Sequence, residues 1–355
     1  MKAFERSSSL FMGMVMVVAG ACACCSRGAS DEYFSDDCLV WAEADVATRD
    51  TLRAAAVSED VLGAYKLTVV DTILCVSTTS MPTLFQLCNL SGDSITSIGF
   101  RGHGPDDFTS NRTCGQTFRE NGEVGLWVVD VNNAKLKRLN LTRSIIANQS
   151  VVDSIVGVEP LVKNAFVSDG RLIQETMLAE NFKLKISRDD SDLYDKQLYK
   201  LDFDGGRSFM AYNTSMALSP SGRYLVMAMM AVNQINLIDM STMSRRAVVV
   251  GEPTQSDKIF ADGESTSQWS YYTSVTLSDD YVYALYENQP FDYAEDYVMQ
   301  PCSVHILRFD GSVVAVVPLD RYISSISVAP DNGTLYGLSE DNRICTYHLA
   351  GVLGK

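Results

Sequence analysis

Apolar and polar residues alternate along most of this chain in short bursts that end at Gly, Asn or Asp. Alternation with a period of two is the pattern of a strand with one buried face, and the small polar residues between bursts mark tight turns. Two bursts around one turn make a phrase that recurs. Met216–Ala228 (MALSPSGRYLVMA) and Ile326–Leu338 (ISVAPDNGTLYGL) are the fullest copies. Ala165–Ile173, Val275–Leu285, Asn121–Val129 and, more weakly, Leu67–Val76 have the same shape. With the turns placed at Asp71, Gly122, Gly170, Gly222, Asp280 and Gly333, the intervals are 51, 48, 52, 58 and 53 residues.

A strand-only repeat of that length is the mark of a propeller blade. A third strand follows most copies, at Lys135–Leu141, Leu198–Phe203, Gln234–Asp239, Val304–Phe309 and Arg343–Leu349. The prediction is an all-β, six-bladed β-propeller of four-stranded antiparallel blades. The last repeat has three strands before the chain stops, so an N-terminal strand is expected to join the last blade and close the ring, removing two exposed edges. Cys38–Glu43 and Val61–Leu67 are the candidates. A pair of β-sandwiches would also show many short strands, but without one phrase every fifty or so residues.

Composition changes this picture little and bounds the partners. The 355 residues are 46% hydrophobic and 21% charged, enough to bury a large core. Twenty-nine basic against 44 acidic residues give a net charge of −15, and no basic patch stands out, so nucleic acid is not an expected partner.

The N-terminus has a separate meaning. Lys2 and Arg6 precede the apolar run Phe11–Ala21, which stops at Cys22-Ala23-Cys24-Cys25. The run is too short to span a bilayer and has the layout of a secretory signal. Small residues leading into a cysteine resemble a bacterial lipobox, with Cys22 the first choice for the lipidated thiol and Cys24 the second. A plain secretory signal cut near Ala21 or Ala23 is the other reading. The expected organisation is a signal peptide over 1–21, a lipid-anchored tether over 22–34 and a propeller domain over 35–355. Either signal puts the mature chain outside the cytoplasm, and the lipid would anchor it to the outer membrane, facing the periplasm or the surface.

Phe100–Phe108 (FRGHGPDDF), near the start of the second repeat, resembles the G-x-G-P-x-E-F loop of the TolB-like six-bladed β-propeller lipoproteins of Bacteroidota. The lipobox, the six repeats and the phrase Ala329–Tyr336 are similar to that family too. Asp107 stands where the family usually has glutamate, and His103 takes the variable place between the glycines. The resemblance implies architecture and address more than activity. Two glycines and a proline suit a compact turn with positive φ, from which Arg101, His103, Asp106 and Asp107 project at one rim. The loop is either ligand-facing or blade-locking. In the locking reading Asp106 and Asp107 cap amides or pair with Arg101, and Phe108 packs between sheets.

Other chemistry is sparse. Ser187–Asp195 holds four aspartates, enough oxygen for calcium but without the ordered spacing of an EF-hand, which favours a solvated hairpin tip. The fifth repeat is rich in aromatic residues, Trp269, Tyr271, Tyr272, Tyr283, Tyr286 and Tyr293, and its segment Asn288–Asp296 is expected to form a rim loop suited to sugars or peptides. Six cysteines lie beyond the tether, with no metal-ligand spacing and room for one or two disulfides. The three histidines, His103, His305 and His348, form no Ser/His/Asp grouping. The functional expectation is an extracytoplasmic, lipid-anchored binding or scaffold module for a protein, peptide or glycan at the rim. The alternative is a calcium-dependent hydrolase, lactonase-like, whose channel carboxylates and amides would leave no local signature.

Overall fold

A computed structural model describes residues 37–79, 82–178, 182–189, 191–197, 213–254, 268–291 and 298–353. Cys22 and the rest of the signal and tether lie outside the described residues. After β1 (Cys38–Trp41) and β2 (Ala56–Asp60), the strands fall into consecutive groups of four. Blade 1 is β3 (Ala64–Val70), β4 (Ile73–Thr78), β5 (Thr83–Asn89) and β6 (Ser94–Phe100). Blade 2 is β7 (Arg112–Glu120), β8 (Glu123–Asp130), β9 (Lys135–Asn140) and β10 (Val152–Gly157), with the short helix α1 (Leu141–Ala147) before its last strand. Blade 3 is β11 (Val162–Ser168), β12 (Arg171–Met177), β13 (Phe182–Arg188) and β14 (Ser191–Gln197). Blade 4 is β15 (Thr214–Leu218), β16 (Tyr224–Met229), β17 (Ile235–Asp239) and β18 (Arg245–Val250). Blade 5 is β19 (Gln268–Leu277), β20 (Val282–Phe291), β21 (Ser303–Leu307) and β22 (Val313–Pro318). Blade 6 is β23 (Ile323–Val328), β24 (Thr334–Ser339) and β25 (Arg343–His348), completed by β2.

All six turns read from the repeat join the first strand of a blade to its second. Asn121-Gly122 and Asp169-Gly170 are two-residue loops in which both residues have positive φ, the geometry whose twist matches an antiparallel pair. The core lies between blades. Phe85, Leu87, Ile98 and Phe108 pack with Leu126, Val128 and Leu139 across the first junction, and Tyr283, Val304 and Ile306 pack with Ile326, Leu335 and Tyr347 across the fifth. Each sheet thus buries both faces, which is why its middle strands are buried throughout, as in β4.

Closure follows the expected principle through a different segment. β2 pairs antiparallel with β25, Ala56 opposite Thr346 and Val57 opposite Cys345. Neither candidate does so. Val61–Leu67 turns into blade 1 and begins β3, while Cys38–Trp41 pairs parallel with β18 and gives blade 4 a fifth strand. Between them, residues 47–52 run along β22, with Arg49 N donating to Val316 O (2.8 Å) and Leu52 N to Pro318 O (2.8 Å). The N-terminal segment is therefore a belt over the outer edges of blades 4, 5 and 6. Trp41 Nε1 donates to Gly311 O (3.1 Å), Arg246 pairs with Asp37 (2.7 Å) and Arg49 reaches Val352 O (3.2 Å) to fasten it.

Two other local expectations shift. The third strand of blade 3 is β13, ahead of Leu198–Phe203, because the aspartate-rich segment turns at Asp189 and starts the fourth strand; residues 198–212 lie outside the described residues. In blade 5, Asn288–Phe291 extends β20 rather than looping, and 292–297 lie outside the described residues. Cys75, Cys88, Cys114, Cys302 and Cys345 are buried free thiols, and Cys38 is half-buried.

Candidate functional site

A meander fixes two ends for the ring. On the turn face each first strand meets its second. On the other, here the mouth face, each blade's last strand hands over to the next blade's first, and second strands meet third. The loop resembling the family motif belongs to the mouth face, between β6 and β7.

That loop is tied down at almost every residue. Phe108 N donates to Phe100 O (3.1 Å), Gly102 N to Phe108 O (3.2 Å) and Asp107 N to Gly104 O (3.2 Å). The Asp107 carboxylate folds back onto Gly104 N (3.1 Å), while Asp106 accepts from Val152 N of β10 (2.7 Å). Arg101 pairs with neither; its guanidinium donates to Thr79 O of blade 1 (3.1 Å). The positive-φ glycine is Gly99, outside the motif. Gly102 and Gly104 have ordinary φ and serve another need: a Cβ on either would collide with the Asp107 carboxylate.

Phe108 is fully buried, edge-on to Phe85 with centroids 5.4 Å apart, and the Lys137 ammonium sits 4.7 Å above its ring. Lys137 also donates to Asp107 O and pairs with Asp130 at 3.3 Å, both side chains being buried. Burial would raise the Asp130 carboxyl, but hydrogen bonds from Thr109, Asn133 and Ser110 and the Lys137 charge outweigh it and hold the group below the usual carboxylate range. Arg101, His103 and Asp106 are exposed, Asp107 is half-buried, and of the five only His103 has no part in these contacts.

The lumen holds a group the sequence reading missed. The first strand of each blade has an inward edge whose free N–H groups need partners. Serines of blades 4 to 6 supply them to the following blade: Ser215 Oγ accepts from Val275 N (3.1 Å), Ser274 Oγ from Ile326 N (3.1 Å), and Ser325 and Ser327 from Leu67 N (3.1 Å) and Val69 N (2.9 Å) of blade 1. Across blades 1 to 3 the equivalent strands carry Lys66, Arg112 and Lys163 near their mouth-face ends. Lys66 Nζ reaches Ser274 Oγ of blade 5 (3.4 Å), Arg112 donates to Lys163 O (3.1 Å), and Lys163 donates to Thr214 O of blade 4 (2.6 Å). One carboxylate attends them. Glu175 is 3.9 Å from Lys163, and its oxygens already accept from Asn164 (2.5 Å) and Thr214 (2.8 Å). Burial pushes the Lys163 ammonium down to about 8, with Glu175 opposing and Arg112 adding to the shift. Burial and the Arg112 charge lower Lys66 as well. The signal was available: a basic residue within the first three positions of the first strand in three consecutive repeats and in none of the next three.

The apolar surface is sided too. Among the described residues, thirteen large hydrophobic side chains are exposed. Six of them, Leu62, Tyr65, Leu161, Met177, Trp269 and Val298, belong to the mouth face; Ile146 alone is on the turn face, and the other six, Phe100 among them, are on outer strands. The turn-face end of the lumen is a cavity of about 380 Å³ bordered by Gln116, Ser278, Asp279, Asp280 and Asn332.

These donors do not fit calcium. Among the described residues no three His, Cys, Asp or Glu side chains converge. The lumen's mouth end is cationic, and in the aspartate-rich hairpin Asp192 pairs with Lys185 (3.0 Å) and Asp195 with Lys183 (3.5 Å). Catalytic groups are equally scarce. His305 is buried, with Nδ1 3.1 Å from the Tyr272 hydroxyl and its ring stacked 4.2 Å from Tyr286; burial lowers it to about 3. Tyr272 and Tyr283 are core residues, Trp269 is exposed, and Tyr293 lies outside the described residues.

Residues 53–331 match a family described as TolB-like 6-blade propeller-like. An exported protein of Bacteroides fragilis is similar in structure, with a TM-score of 0.50 at 10% identity over 87% of this chain and 98% of that one. The hydrazine synthase of Kuenenia stuttgartiensis gives 0.48 at 11%, over 82% and 97%, and the β-propeller domain of Myceliophteria thermophila Cps50 (Swd1) gives 0.41 at 12%, over 83% and 98%. At such identities the likeness is one of fold. No curated protein sequence matches the chain.

Proposed function

The chain belongs to the TolB-like six-bladed propeller family, and from that premise we propose that it is an extracytoplasmic, lipid-anchored binding module. The mouth face is its working surface. The observation that carries this reading is the siding of exposed apolar side chains among the described residues, six on the mouth face against one on the turn face. Exposed apolar side chains gathered on one face of a folded ring suit docking, whereas an even scatter would need no explanation. A rigid scaffold that spends its hydrogen bonds on fixing its blades leaves such a face free to vary. The partner is a protein, peptide or glycan brought to the mouth face.

Attachment and binding are tested separately. Cys22→Ser should move the protein from the membrane to the soluble fraction; release by Cys24→Ser instead would shift the lipid to that thiol, and no release by either would remove the anchor. For binding, immobilised protein is screened against peptide and glycan arrays. Hits should be lost with Trp269→Ala and Leu161→Ala combined and kept with Ile146→Ala on the turn face. The reverse pattern would put the working surface on the other side.

A further inference from the structure

We propose that Lys66, Arg112 and Lys163 form a seat for the oxyanion end of a small ligand whose apolar part lies on the mouth face. The inference rests on the mouth face being the binding surface and adds the chemical class of what binds there.

Three adjacent first strands each direct one cation into the same end of the lumen. Their hydrogen-bond partners are neutral: Ser274 Oγ for Lys66, the Lys163 carbonyl for Arg112, and the Thr214 carbonyl and hydroxyl for Lys163. Glu175 is the one anion among these contacts, so the group holds excess positive charge. Sealing the free N–H groups of the strand edges cannot be their task, because an ammonium or guanidinium only donates; around the other half of the ring serine hydroxyls accept from those N–H groups without any charge being desolvated. A further buried donor lies close in the sequence pattern. Thr68, two residues beyond Lys66 on the same face of β3, has a buried hydroxyl with no partner.

The surroundings restrict the ligand. Tyr65 and Leu161, exposed on the mouth face, stand one and two residues from Lys66 and Lys163, and Met177 N donates to Leu161 O (3.1 Å), which sets a third apolar side chain beside them. A chain of net charge −15 repels a polyanion or an anionic membrane at long range, whereas a confined cationic mouth still focuses a single small anion. Carboxylates and phosphate or sulfate esters share the required chemistry, and the guanidinium of Arg112 suits either with two parallel donors. Because burial holds Lys163 at about 8, its charge is lost over a mildly alkaline range. Arg112 faces it as a like charge and Glu175 as its counter-charge, with the Cys114 thiol nearby, and Lys66 faces the same Arg112 and Cys114.

The test uses octanoate, octyl phosphate and octanol as probes, with calorimetry and the fluorescence of exposed Trp269 as readouts. Either anion should bind at least about tenfold more tightly than octanol, and the tighter of the two identifies the headgroup. Lys66→Met combined with Arg112→Gln should remove that preference while the melting curve shows an intact fold. In the unaltered protein the anion's affinity should fall about tenfold between about pH 7 and about pH 9, because only the protonated fraction of Lys163 binds and raising the pH empties it. Equal binding of all three probes, or an anion preference that survives the double substitution, overturns the seat and leaves the mouth face standing as a surface. Absence of binding by every probe also overturns the seat, while the array screen decides the surface independently.

Discussion

Blades 4 to 6 and blades 1 to 3 solve the same geometric problem with different materials. The first group is wrapped outside by the N-terminal belt and stitched inside by serine hydroxyls. The second has outer strands that no further strand covers among the described residues, each with a register shift against its neighbour, and long charged or amide side chains inside. A bulged edge resists pairing with another chain, so blades 1 to 3 can do without a cover. Inside, a serine costs little to bury, and a lysine costs much. Blades 4 to 6 therefore look optimised for closure, while blades 1 to 3 carry side chains whose use lies elsewhere.

The largest effect expected is loss of the belt. A chain starting at Leu62 exposes the edges of β18, β22 and β25 together and should aggregate. A monomer by sedimentation that still melts cooperatively would show that the two halves of the ring differ less than their edges imply. Next comes Phe108→Ala on the unbelted side, expected to cost about 3–5 kcal/mol by urea unfolding, against less than about 0.5 for the exposed His103→Ala. Comparable losses from both would mean that the loop is held by its polar contacts and not by the ring between the blades.

A smaller effect separates the halves by pH. The folded-state value of His305, in blade 5, lies about 3, below its unfolded value near 6.5. The unfolded chain takes up the proton first, so this contribution is whole above about 6.5 and shrinks as pH falls towards 3. Acidifying from about pH 7 to about pH 5 should cost roughly 2 kcal/mol that His305→Gln no longer loses. A variant with an unchanged pH slope would place the imidazole in water.

The smallest effects sharpen the contrast most. Ser325→Ala, which strips Leu67 N of its partner, should cost about 1–2 kcal/mol, whereas Lys66→Met should cost under about 0.5 or even stabilise, because it relieves a desolvated ammonium. If chemical denaturation ranked them the other way, the lysine would be a structural fastener and the lumen would need no ligand to explain it.

Local chemistry made the repeat legible. Alternation sets which residues can be strand, and Asn121-Gly122 or Asp169-Gly170 sets where the chain must reverse, since both depend on the backbone of neighbouring residues alone. The six hairpins, the order of the blades and the need for an N-terminal closing strand followed from the sequence. The packing of Phe108 belonged to one of the two readings that the constrained loop left open. What a strand pairs with across the ring is decided by which edge is vacant when the blades meet, and no local pattern records that. For this reason Cys38–Trp41 lay on blade 4 while the unremarkable Ala56–Asp60 closed the ring. The same reason hid the lumen. Lys66, Arg112 and Lys163 are some fifty residues apart, each an ordinary strand-end cation in its own repeat. Only the closing of six sheets around an axis brings them to one mouth and takes water away from the two lysines.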